Sequence, residues 1–416
     1  MQATLFRSMD LTESHDKWQK VFQSFWPAYK SWYVGKKSAQ INPQALKVAQ
    51  AKFAHYMPEL LPTYQKLVAL TDHDPVAAQF LTLYQPPAYL INCSQAVLNH
   101  NEPVLMRNYD LSPDLSENLI TMSNWLGQKV IATNECLWGA DDGMNEAGLA
   151  VSLTFGGSQA VGDGFGIPII MTYILHTCRT TAEAIKVLQR IPMHMAYNVT
   201  IVDRSGAYAT VMVVPSQDAI VTDQRAITNH QAEVTWAAQA SFSKTLERKN
   251  FLDDFLTEPR QRDELLDVFL TAPLRSTQFA QNFGTVYTAV YQPSLGEMMY
   301  AWPEHRWGHS FADFKDSSIS IQLDAVGHVA SESTEYDVKH FLLNALHYLP
   351  VAQSEALRES LKDRLMDWAD FGHAISQAWS YQTQTKSKND EPFASSKQYA
   401  PPLNTTFQRL PKAMHH

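Results

Sequence analysis

Cys93, Arg107 and Asp110 are the residues whose types and spacing could do chemistry. They lie in AYLINCSQAVLNHNEPVLMRNYDL, where two β-rich runs flank a polar turn. The pattern predicts a hairpin that starts at Cys93 and returns through Arg107-Asn108-Tyr109-Asp110. A thiol with a free pKa near 8.5 attacks as its thiolate, so it needs a base or a positive neighbour. Arg107 on the returning strand could favour the thiolate and a substrate carboxylate or carbonyl. If the bond after Asn92 were cut, Cys93 would carry a free α-amine. With a pKa of about 7.7–8.0, that amine could serve as the base, directly or through water. Asp110 could then orient the ammonium. A second reading stands beside this one: a cysteine in an apolar strand is usually a buried, inert core residue.

The elements that must position these residues change character along the chain. Residues 1–90 read as mostly helical. INPQALKVAQAKFAHYMPELLPTYQKLVAL spaces its apolar residues three and four apart, with Asn42 as a cap before Pro43 and breaks at Pro58 and Pro62. A short helix follows Asp74, and Pro86-Pro87 forces an extended entry into AYLIN. From residue 88 the pattern turns to strands: AYLINCSQAVL, EPVLMRNYDL, KVIATNECLW and GLAVSLTFGG. Asp141, Asp142 and Asn145 read as a tight loop before the last of these. Two helices follow in IPIIMTYILHTCRTTAEAIKVLQRI, the second starting at Thr180 or Thr181 with Glu183 in its first turn. NVTIVDRSGAYATVMVVP is a hairpin turning at Asp203–Gly206. AIVTDQRAITNH reads as a strand pair, TLERKNFLDDFL and DELLDVFL as helices, and TVYTAVYQP with EMMYAWP as two more strands. Residues 334–370 read as helical, followed by a loose polar tail.

A parallel doubly wound sheet would need crossover helices between residues 88 and 157, and none is predicted there. Packed sheets covered by helices fit better. Gly162–Gly166 is glycine-rich but lacks the Lys-Ser/Thr pair of a phosphate loop, so it reads as a plain loop.

Bulk properties exclude several function classes. The chain has 416 residues, enough for one large core or several domains. Its formal net charge is −9 and no basic block occurs, which argues against nucleic acid. Three cysteines, Cys93, Cys136 and Cys178, make neither a disulfide framework nor a zinc pattern; Cys136 and Cys178 are expected to be buried thiols. The first residues lack a secretion signal, and no apolar stretch reaches the roughly 20 residues that span a bilayer. A cytoplasmic location is expected, with no metal and no cofactor. The aromatics Trp18, Phe22, Phe25, Trp26, Tyr29, Trp32 and Tyr33 could wall an acyl pocket or pack the N-terminal block onto the rest; packing is expected.

The segments NCSQAV, VLMRNYDL, DDGMNEAGLAVSL, NVTIVDRSG, ITNHQ and TVYTAVYQPSLG occur in an order that resembles the N-terminal nucleophile hydrolases. The branch they are most similar to is that of the acyl-coenzyme A:6-aminopenicillanic acid acyltransferases, or C45 peptidases. Bile salt hydrolases and penicillin V acylases are more distant. The resemblance spans about residues 88–310. It implies an α+β fold, a four-layer αββα sandwich of two antiparallel sheets between helices, and a precursor that cuts itself just before the nucleophile.

Carried onto this chain, the resemblance implies cleavage at Asn92–Cys93. The expected domains are a helical leader or small subunit (1–92), an αββα core (93–335), and a helical C-terminal extension with a polar tail packed on the core (336–416). Relatives often carry Gly or Met where this chain has Asn92. The R-N-x-D motif falls on Arg107 and Asp110. The T-N motif falls on Thr228-Asn229, where the asparagine amide would donate to the oxyanion, a contribution of about 3–4 kcal/mol. His230 is given no proton-transfer role. A second arginine falls on Arg248 in Thr245-Leu246-Glu247-Arg248, where it would pair with Asp110 or bind substrate. Bile salt hydrolases carry a further oxyanion asparagine at the end of the strand that here reads NEAGLAVSLTF. Thr154 stands near that place, and its hydroxyl or a backbone N–H could substitute. This departure bears on bile-salt specificity more than on the cysteine mechanism.

The implied function is an N-terminal cysteine hydrolase that cleaves the carbon–nitrogen amide bond of a small N-acyl compound through a thioester. The alternatives are an acyltransferase moving the acyl group from a thioester or amide to a small amine, and a non-catalytic binding protein on the same fold. The expected partner is the small-molecule substrate, with no nucleic acid and no membrane. Leader and core would stay associated after cleavage, and homo-oligomerisation is left open.

Overall fold

The structure is a computed structural model that describes residues 3–323, apart from residues 14, 101 and 282. The expected extension 336–416 lies outside the described residues.

The chain opens with a strand, not a helix. β1 (Thr4–Asp10) carries buried and half-buried side chains and lies parallel to β4 (Leu119–Ser123) and antiparallel to β16 (Ser317–Ile321). The mostly helical reading of residues 1–90 holds for the four helices that follow but does not include β1. Its seven residues carry too short a pattern to outweigh the helical block behind them. The β1–β4 pair also makes that sheet mixed rather than purely antiparallel. Four helices follow: α1 (His15–Lys37), α2 (Pro43–Tyr56), α3 (Leu61–Ala69) and α4 (Pro75–Leu81). Asn42 and Asp74 each cap the helix they precede, accepting from Ala45 N–H and from Val76 and Ala77 N–H, with proline in the first turn.

The core strands are β2 (Asn92–Leu98), β3 (Val104–Leu111), β5 (Val130–Glu135), β6 (Gly139–Asn145), β7 (Leu149–Phe155), β8 (Tyr197–Asp203), β9 (Tyr208–Val213), β10 (Ile220–Thr222), β11 (Ala226–Ile227), β12 (Thr277–Gln278), β13 (Phe283–Gln292), β14 (Glu297–Ala301) and β15 (Arg306–Ser310). Among the described residues they form two sheets. One has the order β10-β9-β8-β7-β6-β5-β4-β1-β16; the other runs β11-β2-β3-β13-β14-β15, with β12 on β13. Their inner faces meet where β2 and β3 lie over β7 and β8. Outside, α5 (Ile167–Thr177) and α6 (Thr181–Arg190) cover the first sheet, while α8 (Thr245–Phe255) and α9 (Arg262–Phe269) cover the second. α7 (Ala237–Phe242) leads into α8. Helix, sheet, sheet and helix make the αββα sandwich.

Two further local expectations are corrected. β10 and β11 do not pair with each other: β10 pairs with β9 in one sheet and β11 with β2 in the other. The chain crosses between layers at Asp223–Arg225, a stretch too short for sequence periodicity to reveal. Asp141, Asp142 and Asn145 are not a loop but lie within β6 and are fully buried. Polar residues in a strand imitate a turn when their partners come from distant segments.

The N-terminal helices pack on the sandwich. Trp18, Phe25, Tyr29 and Tyr33 are buried on one face of α1 and share a single apolar cluster with the core. Burying each such ring contributes about 1.5–3 kcal/mol. Trp18 donates its indole N–H to the Leu137 carbonyl at 2.8 Å. The Tyr29 hydroxyl sits 2.7 Å from Glu117 and 3.0 Å from Glu135. Among the described residues no helix is long and apolar enough to cross a membrane.

Candidate active site

The register of β2 against β3 decides which side chains meet. Cys93 pairs with Tyr109, Gln95 with Arg107, and Asn92 with Asp110. Alternation therefore puts Cys93, Gln95, Arg107 and Tyr109 on the inner face, towards the other sheet. Asn92, Ser94, Asn108 and Asp110 face outward, towards α8 and α9. Arg107 and Asp110, three residues apart, work from opposite faces of one strand.

On the inner face, Arg107 Nη2 lies 3.1 Å from Cys93 Sγ. Its Nε donates to the Leu153 carbonyl at 2.9 Å, and Nη1 donates to Asp142 Oδ2. The guanidinium lies over the Tyr109 ring, 4.7 Å from its centroid. Asp141 Oδ2 stands 3.9 Å from Nη2, within Coulomb reach but too far for a hydrogen bond.

On the outer face, Arg248 gathers the rest. Its Nη1 donates to the Cys93 carbonyl at 2.8 Å, to Ser94 Oγ at 2.8 Å and to Asp110 Oδ2 at 3.3 Å. Its Nη2 donates to Asn229 Oδ1 at 2.7 Å, and the Cys93 backbone N–H donates to the same oxygen at 3.0 Å. Of the two partners left open for Arg248, the structure pairs it with Asp110. Asp110 Oδ1 also accepts from Thr285 Oγ1 at 2.6 Å. Asp110 thus reaches Cys93 through Arg248, not through the sulfur. The structure brings Cys93, Arg107, Asn229 and Arg248 together by direct contact, and Asp110 at one remove.

Asn229 Nδ2 is buried and has no hydrogen-bond partner. Two donors on Oδ1 fix which end of the amide is the N–H end, since a flipped amide would set N–H against N–H. The result is a free donor on a residue bonded to the Cys93 backbone. The strand end that carries it is closely held. Thr154 Oγ1 donates to the Thr228 carbonyl at 2.9 Å, and Asn198 Nδ2 lies 3.1 Å from both the Thr228 and His230 carbonyls. The Thr154 hydroxyl is directed at the Thr228 carbonyl. Gly157 adopts φ +70°, and a Cβ there would meet the Asn229 carbonyl at 2.5 Å; only glycine lets the chain pass. His230 Nδ1 is 2.9 Å from Thr245 Oγ1, a structural contact.

Sequence reasoning missed Asn108, Asn198 and Asp142. Asn108 bonds the Phe269 carbonyl at 2.8 Å and accepts from Thr288 Oγ1 at 2.7 Å, tying β3 to α9 and β13. A polar residue between two charged ones was the available signal.

Burial sets the electrostatics. It pushes the Cys93 thiol up to about 12; Arg107 opposes this, while Asp110 and Asp141 add to it. Burial thus favours the neutral thiol in the intact chain. Burial raises Asp110 to about 6 against Arg248, Thr285 and Arg107, and raises Asp141 to about 7 against Arg107, with Asp142 adding. A cavity of about 20 Å³, room for one water, lies among Tyr29, Trp32, Tyr89, Ile91, Tyr109 and Glu135. It adjoins the face that carries the thiol.

Residues 97–307 match the family described as acyl-coenzyme A:6-aminopenicillanic acid acyl-transferase. The chain belongs to this acyl-transferase family. Membership makes it an enzyme of the hydrolase and acyltransferase class that acts on small N-acyl amides through a nucleophilic residue. Comparison with curated proteins returns no match. Among solved structures, a variant conjugated bile acid hydrolase from Clostridium perfringens is 11% identical with a TM-score of 0.41, over 57% of this chain and 99% of its own. Penicillin V acylase from Agrobacterium tumefaciens is 14% identical with a TM-score of 0.38, over 53% of this chain and 86% of its own. The N-acylethanolamine-hydrolyzing acid amidase ortholog of Caenorhabditis elegans is 16% identical with a TM-score of 0.35, over 56% of this chain and 100% of its own. The two-sheet architecture of this acyl-transferase family member rests on its own strands.

Proposed function

We propose that this acyl-transferase family member is made as a precursor that cuts itself at Asn92–Cys93, and that the freed Cys93 hydrolyses the amide bond of a small N-acyl compound. The observation that supports this is the setting of Cys93. Its sulfur is 3.1 Å from Arg107 Nη2, and its backbone N–H anchors an asparagine whose amide donor is free.

In the precursor, Sγ attacks the Asn92 carbonyl carbon. The C–N bond breaks, the thiol proton passes to the Cys93 nitrogen, and water hydrolyses the resulting thioester. Residues 1–92 then end at Asn92, and Cys93 carries the α-amine.

That amine, with a free pKa of about 7.7–8.0, takes the thiol proton. The thiolate, favoured by Arg107, attacks the substrate carbonyl. The oxyanion accepts from Asn229 Nδ2. Collapse breaks the C–N bond, and the ammonium passes its proton to the leaving amine. Water, deprotonated by the same α-amine, resolves the thioester and releases the acid. A small acceptor amine in place of water would give acyl transfer, the reaction in the family's name.

Intact-mass analysis tests the reading. Purified protein should give chains 1–92 and 93–416, Cys93→Ala should remain one chain, and an activated acyl donor should add its acyl mass to Cys93. A single uncut chain that accepts no acyl group would overturn it. Adding small amines during turnover separates transfer from hydrolysis by the products formed.

A further inference from the structure

We propose that Asp142 is a positioning residue for the reaction at Cys93: it aims Arg107 at the sulfur. The inference rests on the reading of Cys93 as nucleophile and adds a residue from the facing sheet.

Arg107 has three nitrogens to place. Nη1 is held by Asp142 and Nε by the Leu153 carbonyl, which leaves Nη2 directed at Sγ. Two of these contacts come from the opposite sheet, from β6 and β7. Leu153 offers only a carbonyl; Asp142 offers the charge.

Asp142 is itself fixed. Oδ1 accepts from Thr133 Oγ1 at 2.6 Å and from the Tyr291 hydroxyl. Oδ2 accepts from Arg107 and from the Tyr287 hydroxyl at 3.2 Å. A carboxylate has about four lone-pair sites, and here four donors meet them. The donors come from β3, β5 and β13, so three strands fix one carboxylate. Such a charge has little freedom to follow the arginine; the arginine must follow it.

A competing anion makes the aim matter. Asp141 Oδ2 is 3.9 Å from Nη2, the nitrogen that faces the sulfur. With Asp142 in place, Nη1 satisfies the main ion pair and Nη2 stays with Sγ. Without that charge, Asp141 becomes the nearest carboxylate to a buried guanidinium and draws Nη2 from the thiol. Asp142→Asn also sets amide N–H groups among hydroxyl and guanidinium donors.

The test measures thiolate formation as well as turnover. Iodoacetamide labelling of Cys93, followed by peptide mass against pH, reports the thiol in wild type and Asp142→Asn. We expect the profile to move up by about one unit, so that labelling below the thiol pKa slows about tenfold. Where turnover is seen, kcat should fall about 10²-fold, the cost of a misplacement near 1 Å, with KM little changed. Thr133→Val removes one donor from Asp142 and none from Arg107, so it should move the profile the same way by less. Circular dichroism and thermal unfolding establish folding. A folded Asp142→Asn with wild-type labelling and kcat overturns the proposal. If Asp142→Asn does not fold, an unchanged profile in Thr133→Val does so. A wild type that turns over no N-acyl compound would remove the nucleophile reading, while the labelling profiles still decide whether Asp142 aims Arg107.

Discussion

Arg248 Nη2 donates to Asn229 Oδ1 at 2.7 Å, and this contact leaves the other end of the amide free beside Cys93. Arg248 therefore serves Asn229 in a way that charge alone does not describe. Its planar fork reaches Asn229, Asp110, Ser94 and the Cys93 carbonyl at once. A lysine ammonium cannot span those acceptors. Asn229→Ala should lower kcat by about 10²–10³-fold with the fold intact. Arg248→Lys should slow both self-cleavage and turnover. Intact-mass time courses and steady-state kinetics check both. Turnover within twofold of wild type in Asn229→Ala would remove Asn229 from the oxyanion role.

The buried carboxylates give a pH signature with a definite sign. Asp141 is raised to about 7 in the fold, whereas an unfolded aspartate titrates near 3.9. Between those values the folded chain holds a proton that the unfolded chain has lost. Its contribution is fully present below about pH 3.9 and is lost as pH rises through 7. His176 and His309, lowered by burial to about 3 and about 4, act in the opposite direction, so total stability against pH is not the clean measurement. The difference between Asp141→Asn and its parent is. In an uncleaved Cys93→Ala background, the Tm of Asp141→Asn minus that of the parent should increase from pH 4 to pH 7. A flat difference would show that Asp141 ionises normally.

Gly157 offers a prediction from geometry alone. Its positive φ opposes any side chain, and so does the Asn229 carbonyl, which would stand only 2.5 Å from a Cβ. Gly157→Ala should cost about 1–3 kcal/mol, the range for a residue forced into a disfavoured backbone region. It should also lower kcat, because the strand end carrying Asn229 must shift. Urea unfolding and kinetics test the two effects separately. Wild-type values in both would mean that the loop moves aside at no cost.

Much of this arrangement was legible in the chain. The Cys93 hairpin, the Thr180–Glu183 capping box, the Asp203–Gly206 turn and the β13–β14 pair each rest on contacts close in sequence. What was not legible depends on distant partners. Asp142 looks like a loop residue until Arg107, Tyr287, Tyr291 and Thr133 surround it. β1 gives no local sign that its neighbours will be residues 119–122 and 317–321. Asp110 could be placed on the returning strand, but its face follows from a register that pairs it with Asn92. That register turns it from Cys93 Sγ towards Arg248.

If the chain cuts itself at Asn92–Cys93 as proposed, the position of β1 bears on the fate of the two pieces. β1 is not at the sheet edge: it is hydrogen-bonded to β4 on one side and to β16 on the other. α1 adds a face of buried rings and places the Tyr29 hydroxyl between Glu117 and Glu135. Releasing residues 1–92 would expose that apolar face, take from β16 its pairing with β1 and from β4 one of its two neighbours, and strand two buried carboxyl groups without their shared donor. Cutting one peptide bond at Asn92 removes none of these contacts. The two chains should therefore elute together in native gel filtration and separate in denaturant. Replacing Trp18 and Phe22 with alanine, each costing about 3–5 kcal/mol if fully packed, should weaken the association measurably. Elution of residues 93–416 alone, folded and free of the N-terminal chain, would show that the leader is a dispensable cover rather than a layer of the fold.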